Sequence, residues 1–206
     1  MNTRRKIMLV AALGLAFLLQ GAPGPGAAKA GQGKALKELD LGLAYVQRAW
    51  VAESGIQGMM HKTLCVEFKR PTAALSTLEG YKIGVRRVAN HYVPHGAWKG
   101  LAMQSVPQLL DIFWRSLGYG AADGAMLITG ADMDNLALAR ASSDGVEVVA
   151  LVTAGVRGNA MRAGFDEGKH LEPGTINAII ISNRKLSPRA MTRAMIGVTE
   201  AKAAAL

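Results

Sequence analysis

The stretch VTAGVRGNAMRAGFDEGKHLEPGTINAIIISN, residues 152–183, decides how this chain is read. An apolar run stands at each end, and about twenty residues rich in glycine and polar side chains lie between. The five glycines from Gly155 to Gly174 allow sharp turns or close approach of backbone to a ligand. A loop this long inside a compact domain usually serves function, although a mobile surface excursion has the same composition. The flanking runs read as two strands, and their ends bring Thr153 and Thr175 to the rim of one loop.

Working outward, Asn135–Arg140 and Val146–Thr153 flank Ser142-Ser143-Asp144-Gly145. Asp-Gly supplies the positive φ that a tight hairpin requires, so these two runs are expected to pair. Ala125–Thr129 reads as a buried strand, and Thr175–Ile181 as another. Ser105 caps a helix over Val106–Leu117, with Pro107 in its first turn, Gly118 at its end, and an apolar face of Leu109, Leu110, Phe113, Trp114 and Leu117. Ser187 and Pro188 open a last helix whose apolar face is Met191, Ala194, Met195, Val198, Ala201 and Ala205.

Towards the N-terminus, Thr63–Phe68, Ala73–Leu78 and Tyr81–Val93 read as three strands, broken at Arg70-Pro71 and Glu79-Gly80. Leu36, Leu39, Leu43, Val46 and Trp50 recur at a helical period, which predicts a helix over Gly33–Glu53. The succession predicts a single α+β domain in which helices pack on a mostly antiparallel sheet. Asn90, His91 and His95 cluster around Pro94 and are expected in a surface turn. The two histidines have the i, i+4 spacing of a helical metal site, but Pro94 removes the helix that would align them, so no metal is assigned.

The 206 residues carry a formal charge of +9. Four of the 24 basic residues and none of the 15 acidic ones lie in the first thirty, so the remainder carries +5. The basic residues are dispersed, and Arg86-Arg87 alone is too small a footprint for nucleic acid. Cys65 is the single cysteine, so no internal disulfide forms, and its apolar neighbours read it as a small buried hydrophobe. Arg4-Arg5-Lys6, the thirteen-residue apolar run Ile7–Leu19 and Ala28-Lys29-Ala30 together have the form of an export signal, residues 1–30, ahead of a domain over 31–206. The apolar run is shorter than the ~20 residues a membrane span needs, so no stable span is expected once the signal is removed.

The residues near the loop form a set: Thr153, Asn159, Arg162, Thr175 and Asn177, joined by Glu200 and Lys202 from the last helix. Hydroxyls, carboxamides, a carboxylate and cations suit recognition or hydrolysis of a polar, amide-rich ligand. There is no G-x-S-x-G elbow, phosphate-cradling glycine motif or zinc spacing. On residues alone this is a ligand site without a named reaction.

The chain also resembles the adenosylcobinamide amidohydrolases of corrinoid salvage, the CbiZ family. The resemblance is carried by Val152-Thr153-Ala154-Gly155-Val156, Asn159-Ala160, Arg162-Ala163-Gly164, Gly174-Thr175-Ile176-Asn177 and the terminal block Thr199–Leu206, TEAKAAAL. MLITGADMDN at residues 126–135, Arg70-Pro71 and Leu75-Ser76 extend it, so that it covers roughly Leu64–Leu206. It implies hydrolysis of the amide that joins aminopropanol to a propionate arm of the corrin ring, giving a cobyric acid and 1-aminopropan-2-ol. No cofactor is implied, the cobalt-containing corrinoid being the substrate.

On that resemblance Thr153 or Thr175 supplies the reactive hydroxyl and Glu200 the base or acid. Asn159, Arg162, Asn177 and Lys202 bind substrate. Two departures from the family pattern are noted: the segment that usually follows TEAKAAAL is absent, and an export signal precedes the domain. Together they imply a periplasmic protein that meets corrinoids from outside the cell. They also leave a second reading, an exported corrinoid-binding protein that has lost catalysis.

Overall fold

The computed structural model describes residues 7–12, 33–155 and 174–205. Among them are nine strands: β1 (Ile7–Ala12), β2 (Lys34–Glu38), β3 (Val46–Ile56), β4 (Met59–Ser76), β5 (Gly80–Tyr92), β6 (Gly124–Thr129), β7 (Ala137–Ser143), β8 (Val146–Gly155) and β9 (Thr175–Ser182). The helices are a single turn, α1 (Trp98–Leu101), then α2 (Val106–Ser116) and α3 (Pro188–Ala204). The pairing order is β2-β3-β4-β1-β9-β8-β7, with β5 on the other edge of β4 and β6 beyond it. Most pairs are antiparallel; β1 with β4 and β5 with β6 are parallel. The expected single α+β domain is what the chain forms.

The alternation of side chains along the strands produces the layers. Leu64 and Val66 of β4, Val88 of β5, and Ala125 and Leu127 of β6 share one core with Val149 and Leu151 of β8 and Ile179 and Ile181 of β9. The β4–β5–β6 and β8–β9 parts of the sheet therefore stack face to face. The neighbouring positions Cys65, Ala89 and Met126 face the opposite way, against Leu109, Leu110, Phe113 and Trp114 of α2. Met191 of α3 packs with Ala73, Leu75 and Ile180 on the outer side. The result is helix, sheet, sheet, helix.

Local signals account for most boundaries. Ser105 and Gln108 form a reciprocal capping box at the start of α2, and the Ser187 hydroxyl accepts from Ala190 N at the start of α3. Asp144 and Gly145 both have positive φ, +50° and +70°, and close the β7–β8 hairpin in register.

Three expectations are corrected. The predicted helix over Gly33–Glu53 is instead β2, a turn and β3. Asp40 accepts from Gly42 N and Gly42 has a φ of +57°, which breaks the chain in the middle of the supposed helix. Ala49 and Val51 face the inter-sheet core while Trp50 and Ala52 face α2, so both faces are buried and the run shows no polar alternation. Secondly, the strands expected over Thr63–Phe68 and Ala73–Leu78 are one strand, β4, which runs through Pro71 and ends at Ser76. The β4–β5 register jumps between Glu67 and Thr72, and the missing proline N–H falls in that irregularity. Thirdly, Asn90 and His91 are not in a surface turn but in β5, 2% and 0% exposed, on opposite faces.

Candidate active site

Three of the polar residues named from the loop, Thr153, Thr175 and Asn177, meet at one end of the inter-sheet core. Asn90, Thr129, Thr153, Thr175 and Asn177 occupy inward-facing positions of β5, β6, β8 and β9, in phase with Val88, Leu127, Leu151 and Ile179. Four apolar strands thus end in polar side chains at the same level. Asn177 Nδ2 donates to Asn90 Oδ1 at 2.7 Å and to the carbonyl of Ile128 at 3.0 Å. Asn90 Nδ2 donates to Thr153 Oγ1 at 2.9 Å. Beside this chain, Thr129 and Thr175 share a hydroxyl–hydroxyl bond of 2.6 Å, and Thr129 Oγ1 also accepts from Ala131 N. Gly155 ends β8 where a Cβ would stand 3.1 Å from Ala131 Cβ, so the close approach of β8 to the β6–β7 connection favours glycine.

Exposure grades along this end. Thr153, Asn177, Asn90 and Thr129 are buried, and Thr175 is half-buried. Lys202 reaches the same strand end from α3 and donates to the carbonyl of Ile176 at 3.3 Å. Burial lowers the pKa of its ammonium, and no carboxylate among the described residues pairs with it. Glu200 lies exposed on α3. The structure therefore brings together Thr153, Thr175 and Asn177, while Lys202 meets the carbonyl of Ile176 from α3 on the outer side and Glu200 stands on the solvent face. Asn159 and Arg162 lie outside the described residues.

Sequence reasoning missed Asn90 and Thr129 as members of this group. Their signal was present: once Val88 and Leu127 are core residues, strand period puts positions 90 and 129 on the same face. It also missed what lies behind them. His91 Nε2 is 3.0 Å from His61 Nδ1, and His91 Nδ1 is 2.7 Å from the Thr63 hydroxyl. The His91 ring stacks on Phe113 of α2 with centroids 3.8 Å apart. Both histidines are fully buried, which disfavours their charged forms: His61 is lowered to about 4 and His91 well below its ordinary value. The pair is neutral at pH 7. His61 Nε2 has no hydrogen-bond partner, and no group of three metal-ligating side chains occurs among the described residues. Cys65 is buried and its thiol is pushed up to about 12, again by burial, so it is inert.

The family model for adenosylcobinamide amidohydrolase, CbiZ, matches residues 45–206. The chain belongs to that family. The match takes in every strand from β3 onward and so every residue of the polar end just described. A relative from Methanocaldococcus jannaschii, the uncharacterized protein MJ1613, is 38% identical over 167 residues, covering 71% of this chain. The chain spans 64% of that relative's length. No solved structure matches it.

Proposed function

We propose that this protein hydrolyses the amide between aminopropanol and a propionate arm of cobinamide. The observation that carries the reading is the family match over residues 45–206 falling on a polar end that gathers three threonine hydroxyls and two carboxamides. Water adds across the C–N bond: its oxygen goes to the acyl carbon, the bond breaks, and the products are the corrin carboxylate and the aminopropanol ammonium. Such a reaction needs an activated oxygen nucleophile, donors for the developing oxyanion and a proton for the leaving amine.

In this reading the half-buried Thr175, held by Thr129, is the least buried hydroxyl of the group. For proton transfer Lys202, whose ammonium is destabilised by burial, is favoured over the exposed Glu200. Asn159 and Arg162 remain proposed contacts to substrate. The basic start, apolar run and A-x-A sequence within residues 1–30 support export to the periplasm, where cobinamide lacking the adenosyl group would be the form encountered.

The test is incubation of the purified protein with adenosylcobinamide and with cyanocobinamide, followed by mass detection of the cobyric acid. Product from either supports the reading, and Thr175→Ala is expected to abolish it. Folded protein that yields no product from either overturns it. A change in the visible corrinoid spectrum without product would instead mark a binding protein.

A further inference from the structure

The hydrogen-bond chain across the polar end has a direction, and one atom that cannot be flipped fixes it. The carbonyl of Ile128 can only accept, so the Asn177 atom 3.0 Å away is the amide nitrogen. The same nitrogen is 2.7 Å from Asn90, which must therefore present its oxygen there. Asn90 is left with its own nitrogen facing Thr153, and the Thr153 hydroxyl must accept. Two groups remain unused. Thr153 keeps its proton, for which no acceptor is found among the described residues, and Asn177 Oδ1 is buried with no partner.

Thr153 and Asn177 are register partners across β8 and β9, and an unused donor on one with an unused acceptor on the other is the complement of a secondary amide, which offers one C=O and one N–H. We propose that Asn90 is a positioning residue that holds this pair: Thr153 donates to the substrate carbonyl as it becomes an oxyanion, and Asn177 Oδ1 accepts the substrate N–H. The proposal rests on the amidohydrolase reading and names the bond class the site selects. It also divides the two threonines. An oxygen that already accepts from an amide N–H is a poorer nucleophile and a better donor, so Thr153 stabilises charge while Thr175, at the half-buried rim, serves the attack. A tertiary amide, with no N–H, would leave Asn177 Oδ1 unpaired and is excluded.

Asn90→Asp tests the direction at almost constant shape. In N90D an ionised carboxylate still accepts from Asn177 but cannot donate, so the Thr153 proton turns inward to it and is lost to the substrate. Once protonated, the new carboxyl group donates to Thr153 again. With cobinamide as substrate, kcat of N90D is expected to fall by about 100–1000-fold at pH 8 with little change in KM. The ratio to wild type at the same pH should recover towards pH 6. Thr153→Val is expected to lose kcat similarly and Thr153→Ser to retain it within about tenfold, thermal unfolding showing that each is folded.

Wild-type turnover with a folded T153V at full kcat overturns this proposal alone, as does an N90D-to-wild-type ratio flat from pH 8 to 6. Wild type without turnover overturns the amidohydrolase reading instead, and the visible absorbance titration then decides. The proposal requires wild type to bind cobinamide more tightly than the cobyric acid that lacks the amide, and N90D to lose that preference. Equal preference in both proteins overturns it.

Discussion

Acidification from pH 7.5 to 4.5 should destabilise this fold through the His61–His91 pair, and the size of the effect follows from its burial. Both rings are fully buried beside Phe113, and neither meets a carboxylate; their side-chain partners are each other and the Thr63 hydroxyl. Burial therefore lowers the folded-state pKa, His61 from 6.5 to about 4. A depressed histidine pKa means the fold binds fewer protons than the unfolded chain. The stabilisation is fully present above pH 6.5 and is lost as pH falls towards 4. At about 1.4 kcal/mol per unit, His61 alone contributes roughly 2 kcal/mol of loss by pH 5 and about 3 by pH 4. His91, shifted in the same direction, adds to it. Urea unfolding followed by tryptophan fluorescence at several pH values measures the slope, and Trp114 beside this cluster is a suitable reporter. Replacing His61 with Phe should flatten the curve between pH 6.5 and 5, where carboxylates contribute little. Wild-type stability unchanged from pH 7 to 5 would refute the reasoning.

Two further perturbations test the packing and the sheet order. In Gly124→Ala the new Cβ would stand 2.5 Å from Trp114 Cζ2, inside a fully buried ring, and overpacking there should cost about 1–3 kcal/mol. Calorimetry should show the melting temperature lowered by several degrees, whereas Gly120→Ala, with no atom within 4 Å of the added carbon, should leave it unchanged. Removing residues 1–30 deletes β1, which pairs with Ala73–Leu75 of β4 and with Asn177–Ile181 of β9. Hydrogen exchange should then accelerate at those amides of the two segments that point towards β1 and stay slow at those that face β5 and β8, which keep their partners; unchanged exchange throughout Ala73–Leu75 and Asn177–Ile181 would contradict the strand order.

The parts of the fold legible in the sequence are those specified by local chemistry. Asp144-Gly145 can adopt the backbone of a tight hairpin, and Ser105 with Gln108, or Ser187 with Pro188, satisfies free N–H groups at a helix start; each signal lies within four residues. Residues 33–56 misled because their burial is set by tertiary contact. Leu36 is 45% exposed and adds a helical beat by accident, while the strand around Trp50 is covered on both faces. Pro71 misled for the opposite reason. It does interrupt the ladder, as its missing N–H requires, but an irregularity absorbs the interruption and the strand continues.

The site was legible only in part because it is built by register across strands far apart in the chain. Thr153, Thr175 and Asn177 could be found from the loop they flank. Asn90, 63 residues from Thr153 and 87 from Asn177, could be placed only by knowing that β5 lies opposite β8 and β9. Its neighbour His91 was set aside as a turn residue for the same reason. Together they occupy consecutive positions of β5 and, by strand alternation, act on opposite faces. Asn90 joins the two sheets at the polar end, and His91 anchors the same peptide against Phe113 and His61 beneath α2. The carboxamide that orients Thr153 is thus borne by a strand whose other face is held by a pair that must stay neutral. Acid that charges the histidines loosens the support of Asn90. Wild-type activity should consequently decline as pH falls towards 4, where the pair becomes charged, while the N90D-to-wild-type ratio, free of that shared loss, isolates the direction of the hydrogen-bond chain.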